Sequence, residues 1–214
     1  MSAASAFSRQ ESDVPDITTD YATLALIAFG AYLLGSIPFG MVITRVFGLG
    51  DLRQIGSGNI GATNVLRTGN KPAALATLLL DSGKGAIAVL IARALAGEDA
   101  AQLAARASFL GHLFPVFLGF NGGKGVATFL GTLIALAWPV GLACCATWLV
   151  MALIFRISSL AALAAAGSST LWMIALGEGR MLLLGVVLTL LVYYRHAANI
   201  QRLRAGTEPK IGKK

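Results

Sequence analysis

Two glycine-rich segments of the sequence place hydrogen-bond donors where an anion can approach the backbone. The first, residues 56–67, reads GSGNIGATNVLR and combines glycines with Ser57, Asn59, Asn64 and Arg67. Closely spaced glycines let backbone amides approach an anion, and the serine, asparagine and arginine side chains add further donors. This pattern favours a phosphate-binding loop. The alternative is a flexible connection between helices whose polar residues cap the helix ends.

The glycine spacing of this first segment also matches a dinucleotide-binding fingerprint. Gly56, Gly58 and Gly61 have the required spacing, and Asp81 follows at the distance expected for a ribose-binding acid. The fingerprint has meaning only between a strand and a helix of a βαβ unit. Because residues 48–55 make a poor strand and an apolar helix follows, we exclude dinucleotide binding.

The second segment, residues 121–128, reads NGGKGVAT and places Lys124 among glycines just before an apolar run. It is not a Walker A loop, because Lys124 is followed by Gly rather than by Ser or Thr. The free amides and the dipole of a helix N-terminus still favour a phosphate, to which Lys124 adds a full charge. The alternative is a tight turn with an interfacial lysine that extends toward water.

A pair of opposite charges interrupts an otherwise apolar helical run. Asp81 and Lys84 are three residues apart and therefore lie on the same face of a helix. A lone charge at the centre of a bilayer costs about 2.5–3.5 kcal/mol on insertion scales, so such residues are usually paired and face protein or water. The pair is either a structural ion pair or part of the floor of a polar site, and the sequence leaves both open.

The last polar cluster lies in residues 193–208, which read YYRHAANIQRLRAGTE. On a continuing helix Arg195, Asn199 and Arg202 share one stripe. A basic segment attracted to anionic lipid would explain the arginines but not His196 or Asn199. Histidine is suited to proton transfer near neutral pH, and asparagine can orient a hydroxyl group without adding charge.

The composition indicates that lipid surrounds most of the chain. Of its 214 residues 56% are hydrophobic and only 13% are charged, with a mean hydropathy of +0.74, whereas soluble domains carry about 25% charged residues. In a soluble protein the net charge of +7 would suggest nucleic acid, but in a membrane protein it first sets the topology. We expect no nucleic-acid partner. Because few carboxylates accompany the polar clusters, we also expect no metal site and no cofactor.

The apolar runs predict an all-α, polytopic membrane helix bundle with about seven transmembrane helices. The runs cover residues 22–44, 71–96, 103–120, 126–155, 158–176 and 181–194. The long run at 126–155 gives two helices if Trp138 and Pro139 form a tight hairpin.

Seven spans place most Lys and Arg residues on one side of the membrane, together with all of the polar clusters. The positive-inside rule makes that side cytoplasmic, with the N-terminus out and the C-terminus in. We expect a disordered polar tail at residues 1–20, a single transmembrane domain at 21–208 and a basic tail at 209–214.

Five strings in this order closely resemble one known family, the bacterial acyl-phosphate:glycerol-3-phosphate acyltransferases. They are GSIPFG (35–40), GSGNIGATNVLR (56–67), DSGKG (81–85), GHLFPVFLGFNGGKGVAT (111–128) and RHAANIQRLRAGTE (195–208). The resemblance covers residues 22–208. It implies a multi-pass enzyme of the bacterial inner membrane, surrounded by membrane lipids, with its active site facing the cytoplasm.

The resemblance also implies the reaction and its substrates. An acyl group would pass from acyl phosphate to glycerol 3-phosphate, giving lysophosphatidic acid and inorganic phosphate in the first step of phospholipid synthesis. The donor and the acceptor each carry a phosphate group, which fits the donor-rich, acid-poor clusters. A soluble phosphate acyltransferase that supplies the donor is a candidate partner.

By analogy with the family's motifs, we expect four catalytic residues: Ser57, Lys124, His196 and Asn199. The expected substrate-binding residues are Gly58, Asn59, Gly61, Asn64, Arg67, Asp81, Lys84, Gly122, Gly123, Gly125 and Arg202. We assign Ser57 a hydrogen-bonding role rather than that of an acyl-enzyme nucleophile, because nothing in the sequence provides it with an adjacent base. The proton of the attacking hydroxyl would leave to His196 or to the departing phosphate.

Two other classes of protein would use similar residues. A transporter or exchanger of organic phosphates also needs glycine loops, cations and intramembrane charges. Its site usually lies near the middle of the membrane, whereas the clusters here gather on one face. A non-catalytic scaffold for anionic lipid would leave His196 and Asn199 without a role.

Overall fold

A computed structural model describes residues 16–212, and within this range every regular element is a helix. The α-helices are α1 (Tyr21–Ser36), α2 (Phe39–Val46), α3 (Ala62–Leu66), α4 (Lys71–Ala96), α5 (Glu98–Leu113), α6 (Val126–Leu136), α7 (Trp138–Phe155), α8 (Ser158–Ala175), α9 (Leu182–Arg195) and α10 (Ala197–Arg204). Single turns of 3₁₀-helix lie at Leu52–Gln54, Val116–Leu118 and Gly179–Met181. The all-α prediction is confirmed. Most of the predicted N-terminal tail, residues 1–15, and the last two residues of the basic tail lie outside the described range.

Long apolar helices make up most of the described chain. Four are long and apolar enough to cross a membrane: the α1–α2 unit, α4, α7 and α8. The α9–α10 pair, bent by 63°, is a fifth if it counts as one span. Large apolar side chains such as Leu79 and Leu153 point away from the protein, with 61% and 70% of their surface exposed. Such a surface suits lipid rather than water.

Two prolines mark where the long apolar runs break. The 126–155 run divides at Ala137, immediately before Trp138 and Pro139, so the predicted hairpin is confirmed. Proline is tolerated there because it occupies the first turn of α7, where its missing amide is not needed. The 22–44 run is not one continuous helix, since α1 ends at Ser36 and α2 begins after Pro38.

The bounds predicted for the third span, residues 103–120, are wrong at both ends. Helix α5 begins at Glu98, directly after Gly97, and it ends at Leu113. The chain cannot continue as a helix beyond this point because Pro115 lacks an amide hydrogen and restricts the residue before it. The apolar residues that follow form an irregular segment with one 3₁₀ turn, although their composition resembles that of a helix.

Glycines allow α1, α4, α5 and α6 to pack with their backbones close together. A Cβ atom at Gly35 of α1 would overlap the backbone of Ser108 in α5, and one at Gly111 of α5 would overlap Tyr32 O in α1. Gly131 of α6 meets α4 in the same way. Small residues at such contacts are typical of helices packed in a membrane.

A core of apolar side chains joins α5, α6 and α9. Its large members include Phe109, Phe129, Leu133, Leu184 and Leu188. The C-terminal ends of α5 and α9 and the N-terminal end of α6 therefore come together, and these ends carry most of the polar residues considered below.

Candidate active site

The segment between α5 and α6 folds as a tight loop that leaves the amides at the start of α6 free. The amides of Gly122 and Gly123 donate to Leu113 O and His112 O, at 3.2 and 3.1 Å. Gly125 caps α6 with a φ of +81°, a backbone conformation that favours glycine. The amides of residues 124–127 have no acceptor within residues 16–212. An unfilled helix N-terminus of this kind attracts an anion.

Arg195, at the end of α9, fixes this loop from its other side. Its Nε donates to Gly123 O at 3.0 Å and its Nη2 donates to Gly122 O at 2.7 Å. The guanidinium also lies over the Phe114 ring, 5.6 Å from the centroid. Arg195 belongs to the basic stripe predicted from the sequence, but no part in the site was predicted for it. The structure makes it the link between α9 and the second glycine segment.

A continuous chain of hydrogen bonds joins the loop to the C-terminal segment. Lys124 Nζ donates to Asn199 Oδ1 at 2.5 Å, and Asn199 Nδ2 donates to Glu208 Oε1 at 2.5 Å. Glu208 also accepts from Arg202 Nε at 2.6 Å and from Ser159 Oγ at 2.7 Å. The structure therefore brings Lys124, Asn199 and Arg202 together around one carboxylate.

Glu208 and Ser159 are site residues that were not predicted from the sequence. The Glu208 side chain is only 6% exposed, although it lies beyond the last helix. Burial alone would raise its pKa, but the hydrogen bonds from Ser159, Asn199 and Arg202 outweigh burial and hold the pKa of Glu208 below its usual value. The only sign of Glu208 in the sequence was that it is a single acid within a basic segment. Ser159, at the start of α8, offered none.

Positive charge exceeds negative charge around Lys124. Its pKa is lowered to about 8, first because the ammonium group is buried and then because Arg202, Arg195 and Arg67 repel it, while Glu208 acts in the opposite direction. A cationic group under such repulsion gains stability when an anion binds. The site is therefore electrostatically prepared for phosphate.

His196 lies between α9 and α10 and is only 2% exposed. Its Nδ1 must donate to Val192 O, at 2.8 Å, because a carbonyl oxygen only accepts. The lone pair is therefore on Nε2. The pKa of His196 is lowered to about 4, mainly because the ring is buried and also because of the charge of Lys124. The hydrogen bond to Val192 O acts in the opposite direction and offsets part of this shift. At neutral pH the imidazole is uncharged and is a weak base.

Asn64 organises the first glycine segment from within. It is buried, and its Nδ2 donates to Leu52 O at 3.0 Å and to Ile55 O at 2.9 Å. Its Oδ1 accepts from the Ser57 amide at 3.1 Å, with Ser57 Oγ 3.4 Å away. All four residues of this network lie within residues 52–64, so Asn64 shapes the loop, while Ser57 is exposed. Within residues 16–212 no His, Lys, Asp or Glu side chain hydrogen-bonds Ser57.

Arg67 lies against the first glycine segment, and its charge acts on the second. Gly56 has a φ of +52°, and a Cβ atom there would lie 2.5 Å from Arg67 Cδ, so the arginine crosses the loop at its glycine. The charge of Arg67 also lowers the pKa of Lys124. Gly58, with a φ of +69°, continues the turn, and Gly61 caps the short helix α3. Asn59 lies between them and is partly buried.

The charged pair of α4 lies inside the protein. Lys84 Nζ is 2.9 Å from Asp81 Oδ1 and donates to Ile37 O at 2.8 Å, where α1 has just ended. His112 Nδ1 faces the same Asp81 oxygen at 3.6 Å. Asp81 and Lys84 are each 2% exposed. Their burial and their contacts favour a structural ion pair over direct contact with a substrate.

The chemistry available at this site is anion binding by backbone amides, one lysine and several arginines. Within residues 16–212 no group of three or more His, Cys, Asp and Glu side chains is arranged to hold a metal ion. An uncharged imidazole and an asparagine lie beside the cations. This set suits a reaction between phosphorylated compounds in which charge must be neutralised and a hydroxyl group oriented.

Comparisons with known proteins agree on one family. The profile described as "Glycerol-3-phosphate acyltransferase" matches residues 25–206. A protein of that name from Cereibacter sphaeroides is 72% identical over 201 residues, covering 94% of this chain and 96% of the relative. One from Ruegeria pomeroyi is 65% identical and covers 94% and 99%.

Two solved structures are similar to the whole bundle. Both are of PlsY (YgiH), an integral membrane glycerol 3-phosphate acyltransferase. Its glycerol 3-phosphate form has a TM-score of 0.84 at 42% identity, and its lysophosphatidic acid form has a TM-score of 0.83 at 41% identity. In each case the match covers 89% of this chain and 96% of the other.

The pKa of Lys124 predicts how anion binding depends on pH. Because the free ammonium loses its proton near pH 8, the affinity of the purified protein for glycerol 3-phosphate should fall as the pH rises from 7 to 9.5. Lys124→Arg keeps its charge throughout this range, since arginine titrates above about pH 12. Its affinity should be weaker but nearly independent of pH. Equilibrium binding at several pH values measures both, and an equally steep fall in the arginine variant would contradict the assignment.

Proposed function

The chain belongs to the glycerol-3-phosphate acyltransferase family, and we propose that its cationic site receives the acyl group from an acyl phosphate. The protein transfers an acyl group to glycerol 3-phosphate and gives lysophosphatidic acid. The chain of contacts from Lys124 through Asn199 to Glu208 and Arg202 is the observation that carries the proposal. With Arg195 and Arg67 the site has four cations around one carboxylate, which is more positive charge than one phosphate monoester needs.

The second glycine segment is the proposed binding site for glycerol 3-phosphate. The amides at the start of α6 and the Lys124 ammonium bind its phosphate, and Gly122, Gly123 and Gly125 allow the backbone to approach closely. Asn199 already contacts Lys124 and hydrogen-bonds the glycerol hydroxyls. Arg202, held by Glu208, adds a second cation at the same place.

The first glycine segment is the proposed binding site for the phosphate of the donor. Ser57 donates its hydroxyl, Gly58 and Gly61 expose backbone amides, and Asn59 lies between them. Arg67 crosses the loop and extends its charge toward Lys124. Asn64, which is buried, holds this geometry without touching the substrate. The acyl chain extends from this loop into the bilayer between the helices.

The reaction is a direct displacement at the acyl carbon. A hydroxyl oxygen of glycerol 3-phosphate bonds to that carbon, the bond from the carbon to the anhydride oxygen breaks, and inorganic phosphate leaves with the electron pair. Phosphate is already a good leaving group, so the protein mainly positions the reactants and neutralises charge. The absence of a base beside Ser57 in the described residues supports direct transfer over an acyl-enzyme.

The departing phosphate is the proposed acceptor of the hydroxyl proton. A phosphate oxygen with a second pKa near 6 is a stronger base than an imidazole whose pKa is about 4. His196 then serves as a hydrogen-bond acceptor through Nε2 and orients the hydroxyl. Its buried contact with Val192 fixes the ring in the required tautomer.

The proposed topology has seven spans, with α5, α6 and α9 added to the longer helices. Helices of 16, 11 and 14 residues are short for a full crossing, and packing within the bundle compensates for their length. The N-terminus lies outside and the C-terminus inside, because most basic residues then face the cytoplasm. The site therefore opens to the cytoplasm at the bacterial inner membrane, where a soluble phosphate acyltransferase that makes the donor can dock.

A reconstituted enzyme assay tests the function. Purified protein with acyl phosphate and glycerol 3-phosphate should form lysophosphatidic acid and inorganic phosphate in equal amounts, and acyl-CoA should not replace the donor. Lys124→Ala should abolish turnover or raise KM steeply. The control, Asp51→Asn, removes the charge of a surface ion pair with Arg53, while its amide oxygen can still accept from the Arg53 amide, so it should behave as wild type. Uptake of labelled glycerol 3-phosphate into sealed vesicles without acyl product would contradict the assignment and indicate a transporter.

Labelling of single cysteines tests the topology. Cys144 and Cys145 are first replaced by serine. A single cysteine at position 3 should then react with an impermeant reagent that is added to intact cells. A single cysteine at position 212 should react only after the cells are lysed. The substitutions at positions 3 and 212 lie outside the predicted spans, so equal amounts of the two variants in the membrane serve as the control for folding. Reaction of both positions from the same side would contradict an odd number of spans.

A further inference from the structure

Beneath the second glycine segment lies a buried residue that neither the reaction nor the expected site uses. His112 is in the last turn of α5 and is only 4% exposed. The edge of its ring that carries Nε2 lies directly against the backbone at Gly123, where a Cβ atom would overlap Nε2. The carbonyl oxygen of His112 also accepts the Gly123 amide at 3.1 Å. The ring and the backbone of His112 together therefore fix how far the Gly122–Gly125 loop lies from the end of α5.

The other side of the imidazole faces the charged pair of α4. His112 Nδ1 is 3.6 Å from Asp81 Oδ1, which lies 2.9 Å from Lys84 Nζ. Asp81 O accepts from Thr128 Oγ1 at 2.9 Å, and Thr128 is in the first turn of α6. The ring is thus confined between a fixed ion pair and the loop. Any change in its size or position passes to the loop backbone.

The loop has little freedom to compensate for such a change. Arg195 holds the carbonyl oxygens of Gly122 and Gly123 from the side of α9, while His112 supports the backbone from the side of α5. Lys124 follows directly and reaches Asn199. The direction of its ammonium group, and of the free amides that open α6, depends on where these two supports place Gly123.

We propose that His112, backed by the Asp81–Lys84 pair, is a positioning residue of the acyltransferase. It fixes the distance between the Gly122–Gly125 loop and the end of α5. It thereby aligns Lys124 and the α6 amides with the phosphate of glycerol 3-phosphate. The inference rests on the function proposed above. It replaces the expected substrate contact of Asp81 and Lys84 with an action through His112. The imidazole itself does not touch the substrate.

The expected kinetic signature is a defect in binding of the acceptor. His112→Ala should raise KM for glycerol 3-phosphate by about tenfold or more, because the loop sinks into the vacated space, while kcat changes by less than about threefold. KM for acyl phosphate should stay close to the wild-type value. His112→Asn, a smaller change, should shift the same constant in the same direction if the alanine variant is not recovered folded.

A double variant tests the contact itself. Gly123→Ala alone should also raise KM for glycerol 3-phosphate, because its methyl group overlaps the imidazole. In His112→Ala/Gly123→Ala the methyl group enters the space left by the ring, so the combined loss should be no greater than that of the worse single variant. Losses that multiply would show that the two residues act independently and would overturn the proposal.

Tyr32→Phe is the matched structural control. It removes a partly buried hydrogen bond, from Tyr32 Oη to Phe114 O at 2.7 Å, at the same end of α5 but away from Gly123. Its melting temperature should fall while KM stays unchanged. A histidine variant that behaves like this control would overturn the proposal. Wild-type turnover is measured in the same assay, so failure of the proposed function would appear as an inactive wild type, separately from failure of the positioning role.

Discussion

An excess of positive charge where α6, α9 and α10 meet is the constraint on which the site depends. Lys124, Arg195 and Arg202 converge there, Arg67 adds its charge from the first glycine segment, and Glu208 is the carboxylate that links them. The arrangement persists because Glu208 is fully hydrogen-bonded and because Arg195 is bound to two carbonyl oxygens. In the proposed function a doubly charged phosphate binds among these cations, so substrate binding relieves a repulsion that the fold maintains.

The cationic site also depends on buried polar residues that hold its loops in place within an apolar bundle. The Asp81–Lys84 pair and His112 lie between the break after α1, the body of α4 and the end of α5. Lys84 thereby reaches the segment that leads into the first glycine loop, and His112 reaches the second. Polar groups buried in this way cost free energy unless they are paired, and here the paired groups join the supports of the two loops.

The sequence predicted the local features well because they depend on neighbouring residues. The hairpin at Trp138 and Pro139 occurs where proline fits the first turn of a helix, and glycines 56, 58 and 125 of the two glycine segments have positive φ. It did not predict the end of α5, because the apolar residues after Pro115 have the composition of a helix. It also missed Glu208, because that role depends on Ser159, 49 residues away, and on a tail that folds back. Long-range contacts of this kind have no periodicity in the sequence.

The central claim is that one site holds two phosphate groups at the same time. Phosphorus NMR of the purified protein with glycerol 3-phosphate and a non-hydrolysable acyl phosphonate tests it directly, since the phosphate and phosphonate signals are resolved. The account predicts that both bound signals are present together at saturation and that Lys124→Ala weakens the glycerol 3-phosphate signal first. Displacement of either compound by the other, with only one bound signal at any ratio, would contradict it.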